Sequence, residues 1–403
     1  MSLLSLLKEK RVVICTGSGG VGKTTTSAAL AIQGAALGRK TLVLTIDPAR
    51  RLADALGIAT LDHSPRRVPE ATLRAAGRGP HGTLDAMMLD AKAALDDLVH
   101  RYAPSKRARD TILANPIYRH GSRALIENPD YLAMETVQSL EAEGNWDLLV
   151  VDTPPTRHAL DFFSAARRMV EFLERNRFLA LMTPRGRRSL VGERVLGIGM
   201  EVLTKVIARV TGSQLLDAAR DFFLAFEEMF EGFRERAARM DELLRSDAAS
   251  AVIVTTPEPH ALAEARLLHA AFIAERIPFG AFIVNRVATD ALPESILRTW
   301  SAGDPVRSKA LAQALPGLAG NVRERASALM DNYLLYRILV ERDRNALSGL
   351  ADLGIVPNRM HVVPLLDREV VRVEGLRRFL RCLKKASGSN PFARMERSAG
   401  DNG

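Results

Sequence analysis

Eight consecutive residues near the N-terminus have the composition and spacing of a phosphate-binding loop. Residues 17–24 read Gly-Ser-Gly-Gly-Val-Gly-Lys-Thr and match the pattern G-x-x-x-x-G-K-[S/T]. Glycines let the backbone curl tightly, so that its N–H groups point at phosphate oxygens. Lys23 would neutralise the β- and γ-phosphates of a nucleoside triphosphate, and the hydroxyl of Thr24 would be a ligand of Mg²⁺. The predicted phosphate contacts are Gly19, Gly20, Val21, Gly22, Lys23, Thr24 and Thr25.

Two aspartates follow apolar segments that we predict to be strands. Asp47 follows residues 41–46, and Asp152 follows residues 147–151. Loops at the carboxyl ends of parallel strands converge on the ligand crevice of an open sheet. Asp152 is therefore a candidate for the magnesium site and Asp47 for orienting the attacking water. Each aspartate alone could equally be a helix N-cap, but the pair beside a phosphate loop favours a functional site.

Six short segments rich in Val, Ile and Leu are predicted to be strands, and residues 23–37 are predicted to be the clearest crossover helix. Near-continuous apolar runs are typical of strands buried on both faces of a parallel sheet. We predict an α/β fold, a doubly wound and mostly parallel sheet with a large α-helical subdomain formed by insertions. The predicted strands are residues 11–15, 41–46, 147–151, 251–255, 279–284 and 360–363.

The intervals between these strands are uneven, and several are longer than a crossover helix requires. They are rich in Leu, Met, Phe and Ala at helical spacing, and residues 62–82 are expected to form an irregular surface loop. We predict one domain over 1–385 and a disordered tail over 386–403. The nucleotide core takes approximately residues 8–62, 146–160, 249–290 and 355–385. The helical subdomain takes approximately residues 85–145, 160–248 and 290–350.

Composition excludes several classes of protein. The 403 residues are 47% hydrophobic and 26% charged, which is globular composition. The net charge of +9 is spread along the chain, so a nucleic-acid partner is not expected. Two cysteines cannot build a disulfide framework. The chain lacks an apolar run of the roughly 20 residues that cross a bilayer and lacks secretory-signal features, so we expect a cytoplasmic protein.

The motifs together resemble the ArsA-like family of arsenite-pump and tail-anchored-protein targeting ATPases. This family lies within the wider group of ATPases that includes the Min and Par proteins. The resemblance covers nearly the whole chain. The segments that carry it are residues 17–25, 47–54, 152–160, 255–258, 284–286 and 363–366.

The resemblance implies a Mg²⁺-dependent dimeric ATPase whose nucleotide state switches a helical layer that holds a client protein. Asp47 would be the hydrolytic aspartate, and Asp152 would hold magnesium through water. Asn285 and the segment around Pro364 would contact adenine. Glu258 would reach across a dimer interface.

One position departs from the family pattern. The deviant Walker A loop of the family carries a signature lysine where this chain has Ser18. A homodimer would then hydrolyse ATP slowly, or a paralogous subunit would supply the lysine in a heterodimer. Alternatively, Arg50, Arg51 or Arg157 would replace it. A poorly hydrolysing regulatory subunit is the corresponding alternative function.

Two further segments bear on partners. By analogy with targeting members of the family, residues 162–233 could form a groove for a hydrophobic client helix. For any single residue, however, the spacing favours a core between helices. Residues 374–385 could be a basic amphipathic helix on a membrane surface, as in Min-type positioning ATPases, or the last helix packed on the sheet. Cys15 and Cys382 are far apart, so metalloid pumping is not expected. The groove candidates are Met169, Met182, Met200, Met229 and Phe230.

Overall fold

The computed structural model describes most of the predicted nucleotide core and part of the helical subdomain. The predicted groove residues, Arg50, Arg157 and residues 388–403 lie outside the described residues. Residues 386 and 387, which we assigned to the tail, belong to the last described helix. The described residues are 2–47, 51–76, 82–115, 118, 129–154, 162–165, 167, 232, 235–289, 322–351, 353, 359–370 and 373–387.

The described strands form one sheet of eight. In chain order they are β1 (Val12–Thr16), β2 (Lys40–Thr45), β3 (Arg66–Arg67), β4 (Thr83–Met88), β5 (Leu148–Asp152), β6 (Ala249–Thr255), β7 (Phe279–Val287) and β8 (Met360–Pro364). Their order in the sheet is β3-β4-β2-β5-β1-β6-β7-β8. Neighbouring strands are parallel except β3 and β4, which are antiparallel. This topology confirms the predicted α/β class.

The central strands are buried on both sides. Val12 and Ile14 of β1 belong to the hydrophobic cluster on one face of the sheet, and Val13 and Cys15 belong to the cluster on the other. Successive side chains of a strand point to opposite faces, so an uninterrupted apolar run needs cover on both. Helices provide that cover. The described helices are Leu3–Glu9, Lys23–Ala36, Arg51–Leu56, Glu70–Ala75, Ala91–Tyr102, Lys106–Ala114, Asp130–Glu143, Pro259–Ala274, Val322–Ala351 and Val373–Ser387.

Strand β4 was not predicted and lies within a segment that we assigned mainly to helices. Asp85 interrupts its apolar run and hides the strand pattern. The carboxylate of Asp85 is satisfied, because Arg67 Nε donates to it at 2.6 Å and Trp146 Nε1 at 2.8 Å. The prediction of an irregular loop over residues 62–82 was also wrong in part, since this segment contains β3 and the helix Glu70–Ala75.

The last helix, Val373–Ser387, packs on the sheet. Its apolar residues are buried in the same hydrophobic cluster as the helix Lys23–Ala36, which supports the packed interpretation over a membrane anchor. None of the helices in the described part of the chain is both long and apolar enough to cross a membrane. The buried apolar residues of the last helix are Leu376, Phe379, Leu380 and Leu383.

Candidate functional site

The phosphate loop joins β1 to the helix Lys23–Ala36, and its shape requires glycine. Gly20 and Gly22 have φ angles of 78° and 99°, in the left-handed region that glycine adopts without strain. Gly17 has φ 147°, and a Cβ atom there would lie 2.0 Å from the backbone oxygen of Val254. The loop therefore turns tightly against the end of β6 before the helix begins.

The side chain of Lys23 folds back onto the phosphate loop and contacts its backbone. The residue is only 6% exposed, and its Nζ donates to the backbone oxygens of Gly17 at 3.0 Å and Ser18 at 2.8 Å. Burial lowers the pKa of Lys23, and the carboxylates of Asp152 and Asp47 act in the opposite direction. The ammonium group thus lies at the concave side of the loop, where an anion would be bound.

Asp152, the last residue of β5, is fully buried and accepts three side-chain hydrogen bonds. The donors are Thr24 Oγ1 at 2.7 Å, Thr45 Oγ1 at 2.9 Å and Ser27 Oγ at 3.3 Å. Burial raises the pKa of Asp152 to about 6, and these hydrogen bonds oppose the rise. Carboxylate and hydroxyl oxygens are hard ligands that fit Mg²⁺. The predicted magnesium residues, Thr24 and Asp152, are therefore in contact.

Thr45 and Ser27 were not predicted as site residues. Thr45 ends β2, one strand from Asp152, and its hydroxyl also accepts from the backbone N–H of Asp47 at 3.3 Å. Ser27 lies one helical turn after Lys23. The sequence could have indicated both residues, because Thr45 is a hydroxyl residue at the end of a strand and Ser27 is a hydroxyl residue one turn after the loop.

Asp47 lies at the mouth of the same cleft. Its Oδ2 is 3.8 Å from Nη1 of Arg51, whose side chain is two-thirds exposed. Arg51, named above as one substitute for the absent lysine, therefore lines the cleft beside the proposed water-orienting carboxylate.

The cleft has a volume of about 790 Å³. Its far wall comes from the ends of β7 and β8, where Asn285 and Pro364 lie. Asp54 and Arg286 also line it and were not predicted. Eight predicted residues line this one cleft: Gly20, Gly22, Lys23, Thr24, Thr25, Asp47, Asn285 and Pro364.

Four predicted residues are not among those that line the cleft. One is Asp152, which is fully buried but contacts Thr24 of the cleft lining. Val21 is buried, and Gly19 is exposed at the tip of the loop. Glu258 is exposed at the N-cap of the helix Pro259–Ala274. Its proposed role across a subunit interface stays a prediction.

Comparisons with known proteins agree with this geometry. The chain is 29% identical over 302 residues to the putative arsenical pump-driving ATPase 1 of Aquifex aeolicus, a match covering 72% of this chain and 65% of that protein. It is 30% identical over 262 residues to Protein Rv2184c of Mycobacterium tuberculosis, covering 64% and 54%. It is 32% identical over 164 residues to the ATPase get3 of Aspergillus terreus, covering 40% and 45%.

The chain therefore spans less than two thirds of the length of each of these relatives, and less than half of the get3 protein. The sequence pattern of the anion-transporting ATPase family, ArsA, matches residues 10–313, which is most of this chain. The match includes the phosphate loop, Asp47, Asp152 and Asn285. The chain therefore belongs to the anion-transporting ATPase family.

Proposed function

We propose that this chain binds ATP with Mg²⁺ in the cleft and hydrolyses its terminal phosphoanhydride bond. The observation that carries the proposal is the convergence of three features on one cleft. These are the glycine-rich loop with Lys23, the contact between Thr24 and Asp152, and the carboxylate of Asp47.

Each residue of the cleft has a role in binding or hydrolysis that follows from its position. Lys23 and the main-chain N–H groups of the loop bind the β- and γ-phosphates. Thr24 and Asp152 hold Mg²⁺, which when bound neutralises charge on the phosphate oxygens. Asp47 orients the attacking water, and Arg51 beside it adds positive charge at the cleft mouth. The base lies against the wall formed by Asn285 and Pro364.

The active assembly in this proposal is a dimer, either of two identical chains or with a lysine-containing paralogue, and it acts on a hydrophobic client helix. Support comes from the family resemblance and from an exposed apolar strip on the helix Val322–Ala351. Exposed apolar side chains in one strip are typical of surfaces that meet a partner. The strip consists of Leu334, Leu335, Ile338 and Leu339.

The test combines calorimetry with a turnover assay on the purified chain. Lys23→Ala should abolish MgATP binding, whereas Asp47→Asn should retain binding and lose hydrolysis. Lys40→Ala is the matched control, because Lys40 is an exposed lysine at the start of β2, away from the cleft. If the folded wild-type chain took up no MgATP at millimolar concentrations, the proposal would be wrong.

A regulatory subunit that binds ATP and hydrolyses it slowly is the second candidate, because Ser18 carries no cation. Turnover by the chain alone separates the two candidates. Native mass measurement with and without ATP, alone and with a paralogue, would then identify the assembly. Turnover that appears only in a mixed dimer would favour the regulatory subunit.

A further inference from the structure

Strand β7 contains one extra residue where it enters the cleft. Val284 pairs with Val362 of β8, and Val287 pairs with Pro364, so three steps along β7 oppose two along β8. Arg286, within this interval, has φ 59°, a left-handed conformation that costs energy for any residue other than glycine. A bulge of this kind bends the strand and redirects a side chain, and bulges are frequent beside functional sites.

Asn285 directly precedes Arg286, and its side chain reaches the phosphate loop. By the alternation of β7 this side chain lies on the same face as Ile283, whose hydrophobic cluster also contains Val21. Its Nδ2 donates to the backbone oxygen of Val21 at 2.9 Å, a buried hydrogen bond across 264 positions of sequence. Its Oδ1 accepts from the backbone N–H of Arg286 at 2.9 Å. A Cβ atom on Gly22 would lie 2.4 Å from Nδ2, so the amide lies directly against the loop backbone. The protein itself thus engages both ends of this amide.

We propose that Asn285 is a positioning residue that fixes the conformation of the phosphate loop. The consequence for nucleotide affinity rests on the proposed function, but the effect on the loop does not. Glycine-rich segments have many accessible conformations, so a loop of this composition needs an anchor to stay ordered. Asn285 supplies that anchor at Val21, immediately before the helix whose N-terminus faces the ligand. The alternation of β7 places Asn285 on the face that the loop covers.

Hydrogen–deuterium exchange on the nucleotide-free full chain tests the anchor directly. Asn285→Ala removes the whole amide. Asn285→Asp keeps an acceptor for the Arg286 N–H but cannot donate to Val21. Both variants should raise exchange in peptides covering residues 17–24 about fivefold to tenfold, because local opening then loses one hydrogen bond. Arg286→Ala is the matched control and should exchange like the wild type in this loop.

Peptides covering β5 report whether each variant is folded, and their exchange should stay at the wild-type rate. Unchanged exchange over residues 17–24 in a folded Asn285→Asp or Asn285→Ala variant would overturn the proposal. If Asn285→Ala fails to fold, Asn285→Asp decides alone, because it preserves the shape of the side chain.

Titration with MgATP and MgGTP gives a second readout on Asn285→Ala. Anchoring of the loop predicts that the affinities for both nucleotides fall by the same factor, because the phosphates are common to both. A loss confined to MgATP, with normal exchange in the loop, would mean that Asn285 only contacts the base. If the wild type bound neither nucleotide, the proposed function would fail while the exchange result still decided the role of Asn285.

Discussion

Thr24 and Asp152 are 128 residues apart in sequence, yet Thr24 Oγ1 donates to Asp152 Oδ2 at 2.7 Å. The contact exists because β1 and β5 are parallel neighbours, with Cys15 in register with Asp152. The helix that follows the phosphate loop therefore begins beside the end of β5. One hydroxyl and one carboxylate from distant parts of the chain are brought into contact.

Thr24→Ala should weaken MgATP binding by at least about tenfold, because it removes a ligand for the metal and a donor to Asp152. Thr24→Ser keeps the hydroxyl and should bind nearly as the wild type does. Calorimetric titration of ATP at several Mg²⁺ concentrations measures the effect. Equal affinities for the Ala and Ser variants would contradict the assignment of Thr24 to the metal.

Glycine is needed for different reasons at Gly17 and Gly20. An alanine at position 17 would place its Cβ 2.0 Å from the oxygen of Val254, so Gly17→Ala should lower the free energy of unfolding by more than about 3 kcal/mol. No atom lies within 4 Å of a Cβ at position 20, so Gly20→Ala should cost about 1 kcal/mol, from its left-handed φ alone. Urea denaturation measures both. Similar losses of unfolding free energy for the two variants would show that the close contact between Gly17 and β6 does not require glycine.

Within the described ranges, two arginines have positive φ angles, and of these two only Arg286 lines the cleft. Arg276, with φ 57°, follows the helix Pro259–Ala274, whereas Arg286 lies in the bulge of β7. Arg276→Gly should raise the free energy of unfolding by about 1 kcal/mol and leave MgATP affinity unchanged. Arg286→Gly should relieve a similar strain but lower MgATP affinity through the loss of a cation from the cleft wall. Denaturation and calorimetry on both variants check this, and a loss of affinity in Arg276→Gly would contradict it.

His361 in β8 should make the fold sensitive to acid. It is fully buried, and burial lowers its pKa to about 4. The unfolded chain, with a histidine pKa near 6.5, binds the proton first, so the stabilising contribution is complete above that pH and is lost as pH falls through 4. The loss is up to about 3 kcal/mol.

His361→Gln should therefore flatten the dependence of the free energy of unfolding on pH between 7 and 4. His100→Gln is the control, because His100 is exposed. Urea denaturation at several pH values measures the slope for each variant. Equal slopes for His361→Gln and the wild type would mean that another group causes the acid sensitivity.

The sequence by itself was sufficient for features encoded within a short span of chain. The spacing of glycines with Lys23 predicted the loop. Apolar runs predicted six strands of the sheet and pointed to the aspartates at the ends of two of these runs. These features can be predicted because the residue types that they require, such as glycines in a tight loop or apolar runs in a buried strand, lie within a few consecutive positions. Strand β4 was not predicted because Asp85 interrupts its apolar run. The partners that satisfy the Asp85 carboxylate, Arg67 and Trp146, are distant in the sequence.

Tertiary structure alone decided which polar side chains meet. Thr45 and Ser27 join Asp152 because β2, β5 and β1 are neighbours in the sheet, an order that differs from their order in the chain. Asn285 reaches Val21 because its side chain lies on the face of β7 that the phosphate loop covers. Pairing of distant strands is decided by the packing of the whole core, so no local pattern around these residues could have predicted their partners.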